Sequence, residues 1–470
     1  MNLPSRLSVL SISLFIAACS ATPAPPQSGL QPPGRWQGSD RNLNQPLPQH
    51  DWWQQFSSAP LNALIEQARQ GSFDLAAAAA RVRQAQASAI IAGAPLLPEV
   101  KFGLDASRQR LLRGDGFDQL DASDRERTST SFNTRLSASY EVDFWGGKAA
   151  AHDSALHGLQ ASRFDRQTVE LTLLSGVATS YLQSLALAEQ VRIAQLNLAN
   201  AEDVLRLVQT RHDAGSATAL ELAQQRSLVA GQARQVPLFQ QQLQEARITL
   251  ATLLGEPVQG LAPIRESIDG LRWPGIGSGV PSDLLSRRPD IAAAEARLAA
   301  AQADVQVARA AMLPSLTLGA DLGSGADTFA QILRSPYYTL TAGLAAPVFN
   351  NGRLRAERDK ARAVQEELLQ DYRASIMAGF ADVEKALNGI SGVDSQRQWQ
   401  DQEVEQARRA FELSQSRYRA GAETLLTVLE TQRTLYQAQD QQVQLRLARL
   451  QGSVALYKAL GGGWQTAATL

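Results

Sequence analysis

Apolar residues recur every seven positions along four long stretches of this sequence. The repeat contains, in chain order, Val177, Val191, Leu198 and Leu205, then Leu222, Val229, Val236, Leu243 and Leu250, then Leu369, Ile376, Val383 and Ile390, and finally Leu429, Tyr436, Val443, Leu450 and Tyr457. Ser184 stands in a slot of the first stretch where an apolar residue is missing. This spacing is typical of helices that pack as coiled coils. The sequence therefore predicts four long helices, with Pro237 expected to bend the second.

Each pair of long helices is joined by a short turn that contains glycine. Gly421 can adopt the left-handed conformation that ends a helix, and Thr424 is the expected N-cap of the next helix. The same pattern of arginine, alanine, glycine and threonine begins at Arg211 and again at Arg417, at a constant offset of 206 (417 − 211). The chain is therefore an internal duplication, and the two turns are equivalent points of it.

Between the helices the apolar spacing changes from helical to alternate positions, which predicts strands. These alternating segments are 100–104, 132–142, 316–322 and 338–346. At ~3.4 Å per residue the longest would cross the apolar band of a membrane barrel with tilt, although a two-layer soluble sheet is an alternative. The polar stretch from Ser107 to Ser131 is predicted to be a long loop.

Two strands in each half raise a closure problem. Transmembrane barrels have about eight strands or more, and an open strand edge is not tolerated in lipid. The chain must therefore oligomerise if the strands lie in a membrane. The helical hairpins would then project to one side of it and enclose a tunnel that ends at the turns.

The N-terminus resembles the secretory signal of a lipoprotein. Arg6 precedes an apolar segment, and Ile16-Ala17-Ala18-Cys19 has the small residues that precede a lipid-bearing cysteine. Cys19 is the one cysteine in the chain, so no disulfide forms within it. A buried free cysteine is the less favoured alternative. Ser20 instead of aspartate favours an outer-membrane lipoprotein, and the Pro-rich segment that follows is expected to be a tether.

Composition and candidate chemistry narrow the function classes. The net charge of −1 argues against a nucleic-acid partner. The sequence contains no run of eighteen apolar residues, so we expect no membrane-spanning helix. No phosphate-binding loop, nucleophile elbow or cysteine–histidine arrangement occurs, so we expect no cofactor and no enzyme. The scattered histidines do not predict a metal site, because even the nearest pair has a spacing of five residues; they are His50, His152, His157 and His212.

Several motifs together give this sequence a resemblance to the outer membrane efflux proteins of the TolC type. Within that family, it resembles the lipid-anchored, OprM-like (NodT-type) multidrug channels. The motifs are Asp51-Trp52-Trp53, Arg287-Arg288-Pro289-Asp290, Leu313-Pro314, Phe349-Asn350-Asn351-Gly352, Tyr418 to Gly421, Leu429-Glu430-Thr431-Gln432 and Leu456 to Gly463. The resemblance implies a mainly α fold: a homotrimeric α-helical barrel of long coiled hairpins and a 12-stranded transmembrane β-barrel shared by three chains. It also implies a periplasmic adaptor protein and an inner-membrane pump, proton-driven or ATP-driven, as partners.

The resemblance also implies site residues at the turns. Glu430 matches an acidic residue that faces the pore, and Tyr418 matches a gate tyrosine, with ordinary packing as its alternative. Thr427 stands where TolC has aspartate, and Glu423 where it has arginine, so fewer charged links would hold the gate. Glu430 could instead pair with Arg433 or Arg417. The adaptor-contacting tips would be Ala214, Gly215 and Ser216, and Ala420, Gly421 and Ala422.

The resulting domain map has ten parts. It comprises a signal peptide (1–18), a lipidated tether (19–48), N-terminal helices (49–98), a strand pair (99–144), hairpin 1 (145–255), a connector (256–288), a helix (289–313), a second strand pair (314–350), hairpin 2 (351–460) and a tail (461–470). We expect an outer-membrane channel subunit that passes drugs, dyes or exported metabolites. The alternatives are a protein-secretion or siderophore-export channel and, from another class, a periplasmic adaptor lipoprotein.

Overall fold

The computed structural model describes residues 28–38, 49–110 and 128–464, and two compact units are distinguished within the chain. The helices are α1 (Ala59–Gly71), α2 (Phe73–Gly93), α3 (Gly147–Asp213), α4 (Ala219–Leu254), α5 (Pro289–Ala310), α6 (Arg353–Arg419) and α7 (Leu425–Ala459). The strands are β1 (Glu99–Arg110), β2 (Thr128–Val142), β3 (Ser315–Ala326) and β4 (Pro336–Ala345). The predicted alternation of long helices with two strand pairs is confirmed.

The first unit, which includes Gly93–His157 and Glu295–Gln370, contains one antiparallel sheet in the order β1-β2-β3-β4. Phe102 lies opposite Leu136, which lies opposite Leu322, which in turn lies opposite Tyr338. Strands β1 and β4 are the two edges of this four-stranded sheet. The duplication thus produces two hairpins that pair into one sheet through β2 and β3.

One face of the sheet carries large apolar side chains that are exposed within the chain. They are Val100, Phe102, Leu104, Leu136, Leu318, Leu322, Tyr338, Leu340 and Leu344, and each is at least 42% exposed. The strand registers place all of them on the same side, opposite the side that carries Lys101 and Asp321. An apolar band on the outer face is typical of strands in contact with lipid.

The predicted loop from Ser107 to Ser131 is shorter than expected. Strand β1 continues to Arg110 and β2 begins at Thr128, so part of this polar stretch is paired strand. The hydroxyls of Ser107 and Ser131 form a hydrogen bond of 2.8 Å across the pair. The prediction was wrong there because polar residues carry no apolar alternation, whereas backbone pairing requires none. Residues 111–127 lie outside the described part of the chain.

The start of α3 is fixed by the turn after β2. The carboxylate of Asp143 accepts hydrogen bonds from the backbone N–H groups of Lys148 (3.0 Å) and Ala149 (2.8 Å). These are among the first N–H groups of α3, which have no partner within the helix. The indole of Trp145 donates to the carbonyl of Pro314 at 2.7 Å. This turn therefore joins the two halves of the first unit as well as beginning a helix.

The second unit, which includes Gly158–Ala294 and Asp371–Leu470, contains most of both helical hairpins. In hairpin 2 the predicted seam is buried, from Ile376 to Ile390 and from Leu429 to Tyr457. In α3 the predicted seam is buried at Val177 and Ser184 but shifts further along the helix. There Val191, Leu198 and Leu205 are half-buried, and the buried residues include Ala194, Asn197, Ala201, Val204 and Val208. Small side chains at Ala194 and Ala201 allow closer helix packing there than larger residues would.

Two helices have features that bear on the sequence expectations. Helix α4 continues through Pro237, and the bend expected at this residue stays a prediction. Helix α3 contains a window of eighteen residues that is long and apolar enough to cross a membrane, and 61% of this window is buried inside the structure. A core helix passes the same test, and the packed seam of α3 accounts for its apolar composition.

Residues near both ends of the described chain pack together in the second unit. The rings of Trp52 and Tyr457 stack at 4.9 Å, and the Tyr457 hydroxyl donates to Gln55 at 2.7 Å. Trp36 is 1% exposed and its indole donates to the carbonyl of Ser278 at 3.1 Å. The expectation that residues 19–48 act as a tether without a core contact is therefore wrong at Trp36. One large ring with a satisfied N–H buries enough area to dock a Pro-rich segment.

Arg288 joins three parts of the second unit. Its guanidinium contacts Asp290 at 2.6 Å and Asp382 at 2.9 Å, and it reaches the carbonyl of Ala459 at 3.4 Å. The Arg288 side chain is 11% exposed. Arg288 also holds the pKa of Asp290 below its usual range despite burial of that carboxyl. The Arg-Pro-Asp motif thus connects the start of α5 to α6 and to the end of α7.

Replacing Arg288 with Met should destabilise this unit by roughly 1–3 kcal/mol, because it leaves Asp290 partly buried without its cation. Thermal unfolding of the detergent-solubilised protein, followed by circular dichroism, measures the change. Arg287→Met is the matched control, since the neighbouring Arg287 is half-buried and makes no ion pair within the described residues. Equal loss in both variants would contradict the assigned role of Arg288.

Candidate functional site at the hairpin tips

The first tip is a helix end followed by a fully capped helix start. Gly215 has φ +76° and ends α3, and the N–H groups of Ser216 and Ala217 donate to the carbonyl of Arg211. Thr218 accepts from the N–H of Glu221 at 3.2 Å, and Glu221 accepts from the N–H of Thr218 at 2.7 Å. This reciprocal capping box satisfies two backbone donors at the start of α4. The tip residues Ala214, Gly215 and Ser216 are exposed.

The second tip has the same backbone but a different cap. Gly421 has φ +74°, and the N–H of Ala422 donates to the carbonyl of Arg417 at 2.9 Å. Thr424 occupies the N-cap position as expected, although its side chain accepts no hydrogen bond from the N–H groups of the first turn. The hydroxyl instead lies 3.3 Å from that of Thr427. The tip residues Ala420, Gly421 and Ala422 are exposed.

Glu423 makes three polar contacts at the second tip. Its carboxylate accepts from the N–H of Thr424 and from the hydroxyl of Thr427, each at 3.1 Å, and lies 3.5 Å from Arg417. The backbone N–H of Thr424, then the Thr427 hydroxyl and Arg417, hold the pKa of Glu423 below its usual range. Thr427 therefore lies in a hydrogen-bonded cluster at the tip.

Arg211 links the two hairpins. Its guanidinium lies over the ring of Tyr418, 4.6 Å from the ring centre, and donates to the Tyr418 carbonyl at 2.7 Å. In the duplication Arg211 corresponds to Arg417, and Ala217 corresponds to Glu423, since both pairs differ by 206 (417 − 211 and 423 − 217). Arg417 bonds to the acid of its own tip. Because Ala217 provides no such acid, Arg211 instead reaches the neighbouring hairpin.

Tyr418 is the most enclosed of the residues expected at the gate. It is 2% exposed, and its hydroxyl has no hydrogen-bond partner among the described residues. Burial raises the pKa of Tyr418, with a smaller contribution from Glu221, and Arg211 opposes that shift. Tyr418 packs in a cluster that includes Val208, Leu425 and Leu429. The ring and the backbone of Tyr418, rather than its hydroxyl, make the contact between hairpins.

Glu430 is separate from this network. Its side chain is exposed and forms no ion pair with any residue that the structure describes. The alternative pairing with Arg433 or Arg417 is therefore not made within one chain, and Arg417 is engaged by Glu423. The structure thus brings together Tyr418 and Thr427 with their neighbours and leaves the Glu430 carboxylate free to solvent.

Above the tip, buried amides connect helices of different hairpins. Gln432 donates to the Tyr436 hydroxyl at 2.7 Å, and that hydroxyl donates to the Asn197 carbonyl at 2.8 Å. Gln190 donates to Asp440 at 2.5 Å. Sequence reasoning placed Tyr436 in the seam and Gln432 in a family motif but predicted none of these hydrogen bonds, nor Arg211 as a link. One sequence signal could have indicated the role of Arg211: its repeat has Ala217 where the other repeat has Glu423, so Arg211 has no equivalent acid to pair with.

Cys19 lies outside the described residues, so its modification stays a prediction. Within the described ranges, no group of three or more His, Cys, Asp or Glu side chains could hold a metal ion.

Comparison with protein families resolves the class of the chain. The family model for outer membrane efflux proteins matches residues 64–256 and 280–462. The chain belongs to this family. The two matched segments are the two halves of the duplication, and together they contain the sheet strands and both helical hairpins. The family resemblance noted from the sequence is confirmed, as is the TolC-like fold.

Individual relatives agree over nearly the full length. The chain is 69% identical to a pyoverdine export outer membrane protein OpmQ of Pseudomonas putida, over 99% of each chain. It is 63% identical to the protein of that name in Pseudomonas aeruginosa, over 98% of this chain and 97% of the relative. The solved outer-membrane channel OprN superposes with a TM-score of 0.87 at 27% identity, covering 95% of this chain and all of OprN.

This outer membrane efflux protein is a channel subunit of a tripartite system. Three copies form a channel in the outer membrane whose helical part extends into the periplasm. A periplasmic adaptor and an inner-membrane pump supply it with small molecules. The apolar face of the four-stranded sheet is the part that contacts lipid, and the exposed tips lie at the ends of the helical hairpins farthest along the chain from the strands.

Replacing Arg211 with Met should loosen the second tip, because it removes both the contact with the Tyr418 ring and the charged hydrogen bond to the Tyr418 carbonyl. We expect a loss of about 1–2 kcal/mol of local stability. Hydrogen exchange of the amides from Tyr418 to Ala422, in the solubilised trimer, should accelerate about tenfold. Arg408→Met is the control, since Arg408 is exposed on α6 and forms no ion pair among the described residues. Unchanged exchange at the second tip in Arg211→Met, or equal acceleration in both variants, would contradict the assigned link.

Proposed function

We propose that this chain is the outer-membrane exit of a siderophore export system, with a pyoverdine-type siderophore as its main cargo. The supporting observation is 69% identity over 99% of both chains to a protein named for pyoverdine export. The chain would act as a conduit and not as an enzyme. The pump and its adaptor would supply the energy and the selection of cargo, and the channel the path across the outer membrane.

Removal of this chain from its native cell should lower extracellular siderophore and raise the cell-associated fraction, because the exit from the periplasm is lost. Siderophore absorbance in culture supernatant and in periplasmic extract measures both. Complementation with the intact chain should restore export. Unchanged export together with increased susceptibility to unrelated drugs would contradict the siderophore assignment and favour the multidrug role.

We further propose that Tyr418, Thr427 and Glu430 form the gate, and that the exposed tips contact the adaptor. The closed arrangement would depend on the Arg211–Tyr418 link and on the Glu423 cluster. Three unpaired Glu430 carboxylates, one from each subunit, would then meet near the pore axis. Like charges in a constriction attract cations and repel one another. Adaptor contact at the tips would stabilise the open arrangement through contacts that the closed one lacks.

Replacing Glu430 with Gln should reduce cation selectivity and divalent-cation block, because the variant removes three converging charges without changing side-chain size. Reversal potentials and conductance in planar bilayers measure both. Glu412→Gln, at an exposed acid of the preceding helix α6, is the control. Unchanged selectivity in a folded trimer would remove Glu430 from the pore.

Replacing Tyr418 with Ala should raise resting conductance, whereas Tyr418→Phe should behave like the unaltered channel, because the Tyr418 hydroxyl has no hydrogen-bond partner in the described parts of the chain. The same bilayer recordings measure both variants. Equal increases in Ala and Phe variants would show that the hydroxyl, and not the ring, maintains the closed state.

The N-terminal parts of the domain map stay proposals. We propose that residues 1–18 are removed and that Cys19 carries acyl chains. Cys19→Ser should abolish acylation, while the β-barrel retains the protein in the outer membrane. Mass spectrometry of the mature N-terminus and membrane fractionation test these two points. An unmodified cysteine in the unaltered protein would contradict the lipid anchor.

A further inference from the structure

A groove in the second unit is formed by helices α3, α4 and α7. It has a volume of about 580 Å³, which falls within the range of about 300–1,000 Å³ that is usual for small-molecule sites. The residues that line it come from 190–197 of α3, 227–239 of α4 and 433–440 of α7. Neither Tyr418 nor Glu430 lines it, so this groove is separate from the proposed gate.

Gly231 leaves the α4 wall of the groove open. Beyond its own turn of helix, a Cβ atom at Gly231 would meet no atom of the described residues within 4 Å, so packing does not require a glycine there. Glycine inside a helix is less favourable than alanine, because it loses more backbone entropy on folding. The space beside Gly231 is therefore available to an occupant, and a larger side chain at this position would fill it.

Two opposite charges line the groove on the α7 side. Arg433 is exposed and Asp440 is half-buried, and neither forms an ion pair within the described part of the chain. They are seven residues apart, which is close to two full turns, so both lie on one face of α7 with a separation of about 10.5 Å along its axis. A ligand that pairs with both must therefore carry a cation and an anion about 10 Å apart.

The Asp440 carboxylate is held in position by two amides. Its Oδ1 atom accepts a hydrogen bond from Gln190 Nε2 on α3 at 2.5 Å, and its Oδ2 atom accepts from Gln444 Nε2 at 2.6 Å. Each carboxylate oxygen has two lone pairs, so both oxygens retain an acceptor site after these bonds. Because both partners are neutral amides, an ammonium group can still pair with this carboxylate.

The rest of the lining suits a peptide backbone. Gln232, Gln235 and Gln437 line the groove, and each of their carboxamides offers donors and an acceptor. A peptide group likewise has one N–H and one C=O, so it can exchange hydrogen bonds with such amides. Ile193 and Phe239 are half-buried and add apolar surface. The groove therefore matches a few peptide groups that carry an apolar side chain.

We propose that this groove binds a short zwitterionic peptide of three residues. The terminal carboxylate pairs with Arg433, the terminal ammonium pairs with Asp440, and the amides between them contact the glutamine side chains. An extended chain spans at most about 3.3–3.6 Å per residue, so three residues reach about 10 Å and two reach about 7 Å. Three residues thus match the spacing of the two charges on α7. This binding function differs from export through the channel and does not rest on the identity of the cargo.

Thiol labelling of the solubilised trimer tests the proposal, with the peptide Ala-Leu-Ala as the probe. Ser227 lines the groove and is exposed, so Ser227→Cys places a thiol there with little change in size. Ala230→Cys is the matched control, exposed on the same helix but outside the lining. At a peptide concentration about ten times Kd, bimane labelling at position 227 should slow about tenfold, with saturation, while labelling at position 230 is unchanged. The parent chain gives the background from Cys19.

Peptides that lack one charge or one residue test the chemistry of binding. The C-terminal amide of Ala-Leu-Ala, its N-acetyl form and the dipeptide Leu-Ala should each require at least about tenfold more peptide for equal protection. Arg433→Met and Asp440→Asn, each in the Ser227→Cys chain, should raise the Kd for Ala-Leu-Ala by a similar factor. If either variant fails to trimerise, the comparison of peptides still decides, because it uses unaltered groove charges.

Gly231→Leu in the Ser227→Cys chain should abolish protection, since the added side chain fills the groove and leaves both charges in place. Four outcomes would each overturn the proposal: no protection by Ala-Leu-Ala, equal protection by the peptides that lack a terminal charge, equal slowing at positions 227 and 230, or no labelling at position 227 without peptide. The last of these would show that a neighbouring subunit covers the groove.

Discussion

The open edges of a four-stranded sheet are the constraint on which the rest of this structure depends. Strands β1 and β4 each leave one row of backbone groups unpaired within the chain, and one face of the sheet is apolar. Lipid offers those backbone groups no partner, so the sheet must continue into neighbouring chains. Twelve strands from three chains close it, and this closure places three copies of each helical hairpin around one channel.

Within that trimer the duplication is nearly regular in backbone and irregular in charge. Both tips use a glycine in the left-handed region and the same turn, yet the acid lies at Glu221 in one and at Glu423 in the other. This single difference leaves Arg211 free to contact Tyr418 across hairpins while Arg417 stays local. A repeated fold thus acquires a directional link at its second hairpin tip.

Regular sequence patterns made much of the fold predictable. Contacts between the two repeats were not predictable from those patterns. The seven-residue spacing identified the buried seam from Leu429 to Tyr457, and alternation identified the strands. The buried stripe of α3 was shifted to Ala194 and Ala201, because small residues are ambiguous in an apolar pattern. Thr424 was predicted as the N-cap and is one, but the sequence did not show that Glu423 would accept from its backbone N–H. The Arg211 link does not follow from local spacing, since it joins residues from separate helical hairpins.

Pairing of β1 with β4 between chains is the central claim, and cysteine cross-linking tests it most directly. Lys101 in β1 and Thr339, Thr341 and Gly343 in β4 share one face of the sheet by register. Each variant carries Lys101→Cys together with one cysteine at a single β4 position. On oxidation in the outer membrane, at least one of these variants should form covalent dimers and trimers. A chain that remains monomeric for every pair, with its strands folded, would contradict the shared barrel.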